Sequence, residues 1–203
     1  MSVELAGERM TIREEGEKTI FTFDDKGTGR GCGGCTLCCK LVPVPTIGKE
    51  AGKKCQNQRH GKGCTIYANR PFACRSWSCR WLADPETQGM SRPDRAHYVI
   101  DCTWDYITLR PEDGSAPTNL AVIQVWVDPA FRDAYKAPEL RAYMERVAIK
   151  HRAACIVRWS RNEAIVVFAP CLNSEGVWHE QGGQVVNRTD KERHEAMMLG
   201  EEP

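Results

Sequence analysis

Eight cysteines, at positions 32, 35, 38, 39, 55, 64, 74 and 79, stand in a stretch with almost no other means of folding. From Gly27 to Gly63 the chain is rich in Gly, Pro and Lys, and its apolar residues keep neither a two-residue nor a 3.6-residue period. A segment patterned this way buries too little apolar surface to offset the entropy lost on ordering it. Metal–thiolate bonds would supply the missing free energy, because in such sites the energy of binding is also energy of folding.

The charge distribution follows the cysteines. Between Lys26 and Leu82 eleven Lys and Arg face one acidic residue, Glu50, a net of +10, whereas the rest of the chain carries seventeen basic and twenty-six acidic residues, a net of −9. Thiolates crowded into one region need positive charge nearby. Two Zn²⁺ and eight thiolates would still leave the segment at +6. That surplus is either a solvated basic face or a patch for a partner: a protein, or the phosphates of RNA or DNA, reached through 26–82. No aromatic-interleaved RNA-recognition motif accompanies it.

The longest apolar run, Ala164 to Ala169, is far short of the roughly 20 residues of a membrane span, so no membrane contact is expected. The residues after Met1 lack a basic stretch followed by an apolar one, which predicts a cytoplasmic protein rather than a secreted one. Cytoplasmic thiols are kept reduced, and a dense cluster there reads as metal ligation before disulfides.

Spacing sharpens this. In Cys32-Gly-Gly-Cys35-Thr-Leu-Cys38-Cys39 the first pair can point both sulfurs at one ion across a tight turn, which Gly33 and Gly34 permit. Three cysteines at this spacing also match the start of a bacterial ferredoxin run, but the fourth ferredoxin position is absent. Side chains of neighbouring residues diverge, so Cys38 and Cys39 are expected to serve different centres, or one ligates while the other packs. Cys55, Cys64, Cys74 and Cys79 contain no second close pair, unlike a zinc ribbon. Two schemes stay open: two closed sites of four thiolates each around zinc, or an iron–sulfur centre on Cys32, Cys35, Cys38 and a distant cysteine, with the rest stabilising it or binding a second iron centre. His60 is read as a solvated loop residue.

The run Cys64-Thr-Ile-Tyr67-Ala-Asn-Arg70-Pro71-Phe-Ala-Cys74-Arg75, following the Cys-x2-Cys-x2-Cys-Cys element, resembles the CxxCxxCC family of zinc- or iron-chelating cysteine-cluster proteins. The resemblance covers about residues 30 to 82 and implies metal binding by all eight cysteines; it implies no particular reaction. Alternatives in which the metal serves an enzyme, an electron carrier, metal delivery or a nucleic-acid-associated module follow from the same residues.

The expected fold class is α+β: an irregular, cysteine-rich, metal-organised segment packed with a small β-α-β-β unit. The chain divides into an acidic segment, 1–25, with a strand at Thr19–Phe23; the cysteine segment, 26–82; an α+β region, 83–182; and a polar tail, 183–203, with a helix at Asp190–Leu199. Pro71 is set for the first turn of a helix reaching about Trp81, which would align Cys74, Trp77, Ser78 and Trp81 on one face. Arg70 and Arg75 flank its start, bonding carbonyls or holding thiolates. Trp77, Trp81 and Trp104 pack in the core or shield the metal from water.

Strands are expected at Tyr98–Cys102, Tyr106–Leu109 and Leu120–Val127, with a loop through Pro111, Gly114 and Pro117. Beyond them, Leu140, Tyr143, Met144 and Val147 predict a helix over Pro138–Arg152, followed by a hairpin of Ala154–Trp159 and Ala164–Phe168. Cys102, Cys155 and Cys171 read as small buried residues. The glycine run at Gly27–Gly34 lacks the Gly-Lys-Ser/Thr ending of a phosphate loop. Neither a Ser-His-Asp set nor an HExxH motif is present, and no cysteine is paired with a base.

Overall fold

Strands occupy both ends of the described chain, and short helices the middle. The computed structural model describes residues 28–109, 114 and 116–182, plus the strand backbone in 2–23; the side chains of 102–104 and the tail helix expected at Asp190–Leu199 fall outside the described residues. Strands β1 (Ser2–Leu5), β2 (Glu8–Glu15) and β3 (Lys18–Phe23) form an antiparallel sheet in that order, and β3 contains the strand expected at Thr19–Phe23. The cysteine segment follows, with α1 (Leu37–Leu41), a two-residue hairpin of β4 (Gln58–Arg59) and β5 (Gly63–Cys64), α2 (Phe72–Arg75) and α3 (Arg80–Ala83). Helix α4 (Pro93–Ala96) leads into the long strand β6 (Tyr98–Leu109), then β7 (Thr118–Val127), α5 (Pro138–His151), β8 (Ala154–Arg158), β9 (Ala164–Phe168) and β10 (His179–Gly182). The result is a mixed α+β structure.

The last five strands form one sheet in the order β10-β9-β8-β7-β6. Strands β7 and β8 are parallel and joined through α5, while β8 and β9 pair as an antiparallel hairpin. The helix forms because Leu140, Tyr143, Met144, Val147 and Ala148 recur on one stripe, and all five are buried. That stripe covers Tyr98, Ile100, Ile123, Val125, Val127, Cys155, Val157 and Val167 on one sheet face. Pro138 opens the helix, and Arg152 closes it in the left-handed conformation, φ 50°.

Period-2 alternation sends the intervening residues to the other face. Val99 and Trp126, opposite each other in register, join Leu37, Leu41 and Cys79 in a second buried cluster. The cysteine segment therefore packs on the sheet face turned away from α5.

Three expectations are corrected. The single helix expected from Pro71 to Trp81 is two short helices, interrupted because Cys79 is extended (φ −72°, ψ 151°) and forms an antiparallel bridge with Asp101 of β6. The two strands expected at Tyr98–Cys102 and Tyr106–Leu109 are one strand whose pairing with β7 shifts register between Ile100 and Trp104. Cys171 is exposed in a turn at Pro170–Leu172, whereas Cys155 is fully buried. Of the expected loop, Gly114 takes φ 77° and Pro111 falls outside the described residues. Among the described residues no helix is long and apolar enough to cross a membrane.

One side chain ties α5 to the strap that follows α3. The Tyr143 hydroxyl donates to Asp84 Oδ2 at 2.7 Å, and Asp84 also accepts from the Glu86 N–H at 2.9 Å and from Arg80 Nη1 at 3.5 Å. Tyr143→Phe should cost about 1–3 kcal/mol in urea unfolding, since a buried charged acceptor loses a donor. A change below about 0.5 kcal/mol would mean that this bond does not hold the strap.

Candidate functional site

The turn Cys32-Gly33-Gly34-Cys35 is closed by the Cys35 N–H donating to Cys32 O at 2.8 Å, with Gly33 at φ 51°. Helix α1 starts directly after it and carries Cys38 and Cys39, held down by buried Leu37 and Leu41. Cys79 arrives from the other direction, fixed by its bridge to Asp101. The outcome is a cavity of about 20 Å³ lined by Cys32, Cys35, Cys38 and Cys79 and closed by Trp81, Leu82, Pro93 and Val99.

The remaining four cysteines adjoin this group. The Cys55 N–H donates to Cys39 O at 2.9 Å, the Gln58 N–H to Cys55 O at 3.1 Å, and Gln58 pairs with Cys64 across β4 and β5. Burial, and after it the charges of Cys39, Cys55 and Cys64, push the Cys74 thiol up. The two groups meet at Cys38 and Cys39. Their thiols do not diverge as expected for neighbouring residues but bond to each other, Cys38 donating, which raises Cys38 and lowers Cys39 to about 7. The charges of Lys49 and Arg70 help hold Cys39 down.

Burial pushes up Cys32 and Cys35 as well. The Tyr67 hydroxyl and the Arg70 charge oppose that shift at Cys32, and the N–H groups of Leu37 and Asp94 oppose it at Cys35. Arg70 donates from Nε to Tyr67 O at 3.0 Å and lies 3.8 Å from the Tyr67 ring centre, so it bonds a carbonyl and faces the thiols at once. Arg75 and His60 are exposed. Trp81 closes the cavity and packs into the core on both sides, while Trp77 packs against the cluster of Leu37 and Cys79. The Trp104 side chain lies outside the described residues.

Backbone contact sets the position of the turn. A Cβ on Gly34 would stand 2.5 Å from Gly61 O, and one on Gly63 would meet Gly33 O. The Cys32–Cys35 turn and the Arg59–Gly63 turn thus fit together only as glycine against glycine. Arg30 secures the approach from the other side, donating from Nη1 to Trp81 O at 2.8 Å and lying 4.6 Å from the Trp81 ring centre.

Lys49 was invisible to sequence reasoning except as one charge among eleven. Only 8% exposed, it donates to the carbonyl oxygens of Lys40, Val42 and Glu50, at the end of α1. Burial lowers its pKa, and the charges of Cys39, Cys55, Cys38 and Cys74 act against that shift. A lysine ten residues after a Cys-Cys pair is too common a pattern to have marked it.

These donors suit a thiophilic ion: eight sulfurs, and no carboxylate in the cavity wall. Two buried polar atoms without a hydrogen-bond partner, Gln58 Oε1 and Trp126 Nε1, belong to residues beside Cys64 and Cys79. The thiols are neighbours rather than a closed shell. Among the described residues no group of three Cys, His, Asp or Glu stands in position to hold an ion.

Gly34→Ala should separate the two turns, and limited proteolysis should then cut within 28–82 faster than in the parent protein; an unchanged pattern would refute the glycine clasp. Lys49→Met strands three carbonyls and removes a cation from beside the thiols, so stability in urea should fall by about 1.5–3 kcal/mol. A loss no larger than that of an exposed-lysine control such as Lys54→Met would refute the role given to Lys49. Comparison of the chain with protein-family models, with curated proteins and with solved structures finds no match.

Proposed function

We propose that this is a metal-binding protein whose eight cysteines hold two ions, one on Cys32, Cys35, Cys38 and Cys79 and one on Cys39, Cys55, Cys64 and Cys74. The observation that carries the reading is the cavity: four cysteines from two separate parts of the chain line one small, otherwise apolar space. Its volume of about 20 Å³ is on the scale of a single water or ion rather than of a four-iron, four-sulfide cube. Zinc is therefore the preferred occupant over an iron–sulfur centre, and its part would be to cross-link the segment.

Support also comes from the resemblance of residues 30–82 to the CxxCxxCC cysteine-cluster family, and from cations beside the second group. Arg70 acts on Cys32, Cys39 and Cys74, and Lys49 on Cys39. In this reading Cys38 and Cys39 serve different ions although they are adjacent. A cytoplasmic setting, with its reduced thiols, suits both sites.

The test is elemental analysis and visible absorption of protein purified without oxygen. Colourless protein with two zinc ions per chain is expected, with Cys79→Ser and Cys74→Ser each keeping one ion while remaining protease-resistant. Iron with acid-labile sulfide and a band near roughly 400 nm would replace zinc with a cluster. Protein that folds without metal would end the proposal.

A further inference from the structure

Around Cys55, Cys64 and Cys74 the surface is basic and aromatic at the same time. Residues 51–75 contain Lys53, Lys54, Arg59, Lys62, Arg70 and Arg75 and no Asp or Glu. The one acid bordering them, Glu50, is 2.7 Å from Lys53 Nζ, an exposed pair that offsets a single charge. Among the described residues Arg59 bonds to the carbonyls of its own turn, at Gln56 and Gln58.

The cations are spread by the same folding that gathers the cysteines. Lys54 precedes Cys55, Lys62 sits in the turn before Cys64, and Arg75 follows Cys74, all three exposed. The paired backbone of β4 and β5 holds the strand positions together, and Cys74 lies close enough to Cys55 and Cys64 for their charges to act on its thiol. Two aromatic rings open to solvent beside them: Tyr67 at 49% and Phe72 at 56% exposure. Arg70 covers one face of the Tyr67 ring, and Phe72 has more than half of its surface exposed. Among the described residues no acid forms an ion pair with Lys54, Arg59, Lys62 or Arg75.

We propose that this face binds single-stranded nucleic acid, with the cations along the phosphates and Phe72 stacking on bases beside the Arg70-covered ring of Tyr67. Single strands offer both a charged backbone and open base faces, and stacking tolerates any base. A duplex hides those faces, and an acidic peptide has none to offer. RNA and single-stranded DNA share the chemistry argued here. The proposal does not rest on the identity of the metal.

The experiment is fluorescence anisotropy of full-length, as-purified protein with labelled oligo-U and oligo-dT of about twelve nucleotides, across about 50–200 mM salt. Both strands should bind more weakly as salt rises. Combined Lys54→Gln, Arg59→Gln and Lys62→Gln should flatten the log–log salt slope by about 2, at roughly 0.7 per phosphate contact. Phe72→Ala, with far-UV circular dichroism and metal content unchanged, should weaken binding roughly fivefold or more. Should the triple variant not fold, Phe72→Ala and the parent protein's salt slope decide. No binding at low salt, equal binding of a duplex, full competition by polyglutamate, or an unchanged Phe72→Ala variant would each overturn the proposal. Oligo-U and oligo-dT binding alike would leave the two sources equivalent, as the shared chemistry requires.

Discussion

Asp101 fastens the cysteine segment to the sheet. Its backbone bridges Cys79, its carboxylate accepts the Trp77 indole N–H at 2.8 Å, and its carbonyl accepts Arg80 Nε at 2.9 Å. Three successive parts of the segment are thereby read out from one strand residue. That anchor holds Cys79 extended between α2 and α3, on the wall of the cavity it shares with Cys32 and Cys35. The apolar contact of Val99 and Trp126 with Leu37 and Leu41 then seats α1 beside it, bringing Cys38 to the same cavity.

What could be read from the sequence follows from where the folding information lies. Helix α5 was legible from its periodic apolar stripe, and strands β7, β8 and β9 from short continuous apolar runs; β8 is buried at all five of its positions. The break between α2 and α3 was not legible. Trp77, Ser78 and Cys79 suit a helix by spacing, and what overrides it is a partner twenty-two residues further on, Asp101. Long-range overrides of this kind leave no local mark. The cysteines themselves were evident as a set, but their division was not, since Cys79 is the last in sequence and yet lies with the first three. Nor did the glycines announce themselves beyond their number. Gly33 and Gly34 answer to Gly61 and Gly63, and only the packed structure pairs them.

Electrostatics explains why so basic a segment need not be basic everywhere. A thiol buried among apolar residues stays protonated, as the upward shifts of Cys32, Cys35 and Cys74 reflect. Ligation requires the thiolate, so some of the positive charge has to be placed inside. Lys49 is so placed, with its ammonium held by carbonyls at the end of α1, where the helix dipole also favours a cation. Arg70 is half-buried over Tyr67 and serves the same thiols. Lys40 is drawn off to Asp128 at 2.5 Å, and Arg80 to Asp84 and Asp101. Arg30 is committed to Trp81 O and Lys53 to Glu50, so among the described residues Lys54, Arg59, Lys62 and Arg75 are left on the outside, where no thiol needs them. Charge compensation accounts for the inner cations and packing for the paired ones. The outer four answer to neither, and their company of open aromatic rings gives that surplus a direction.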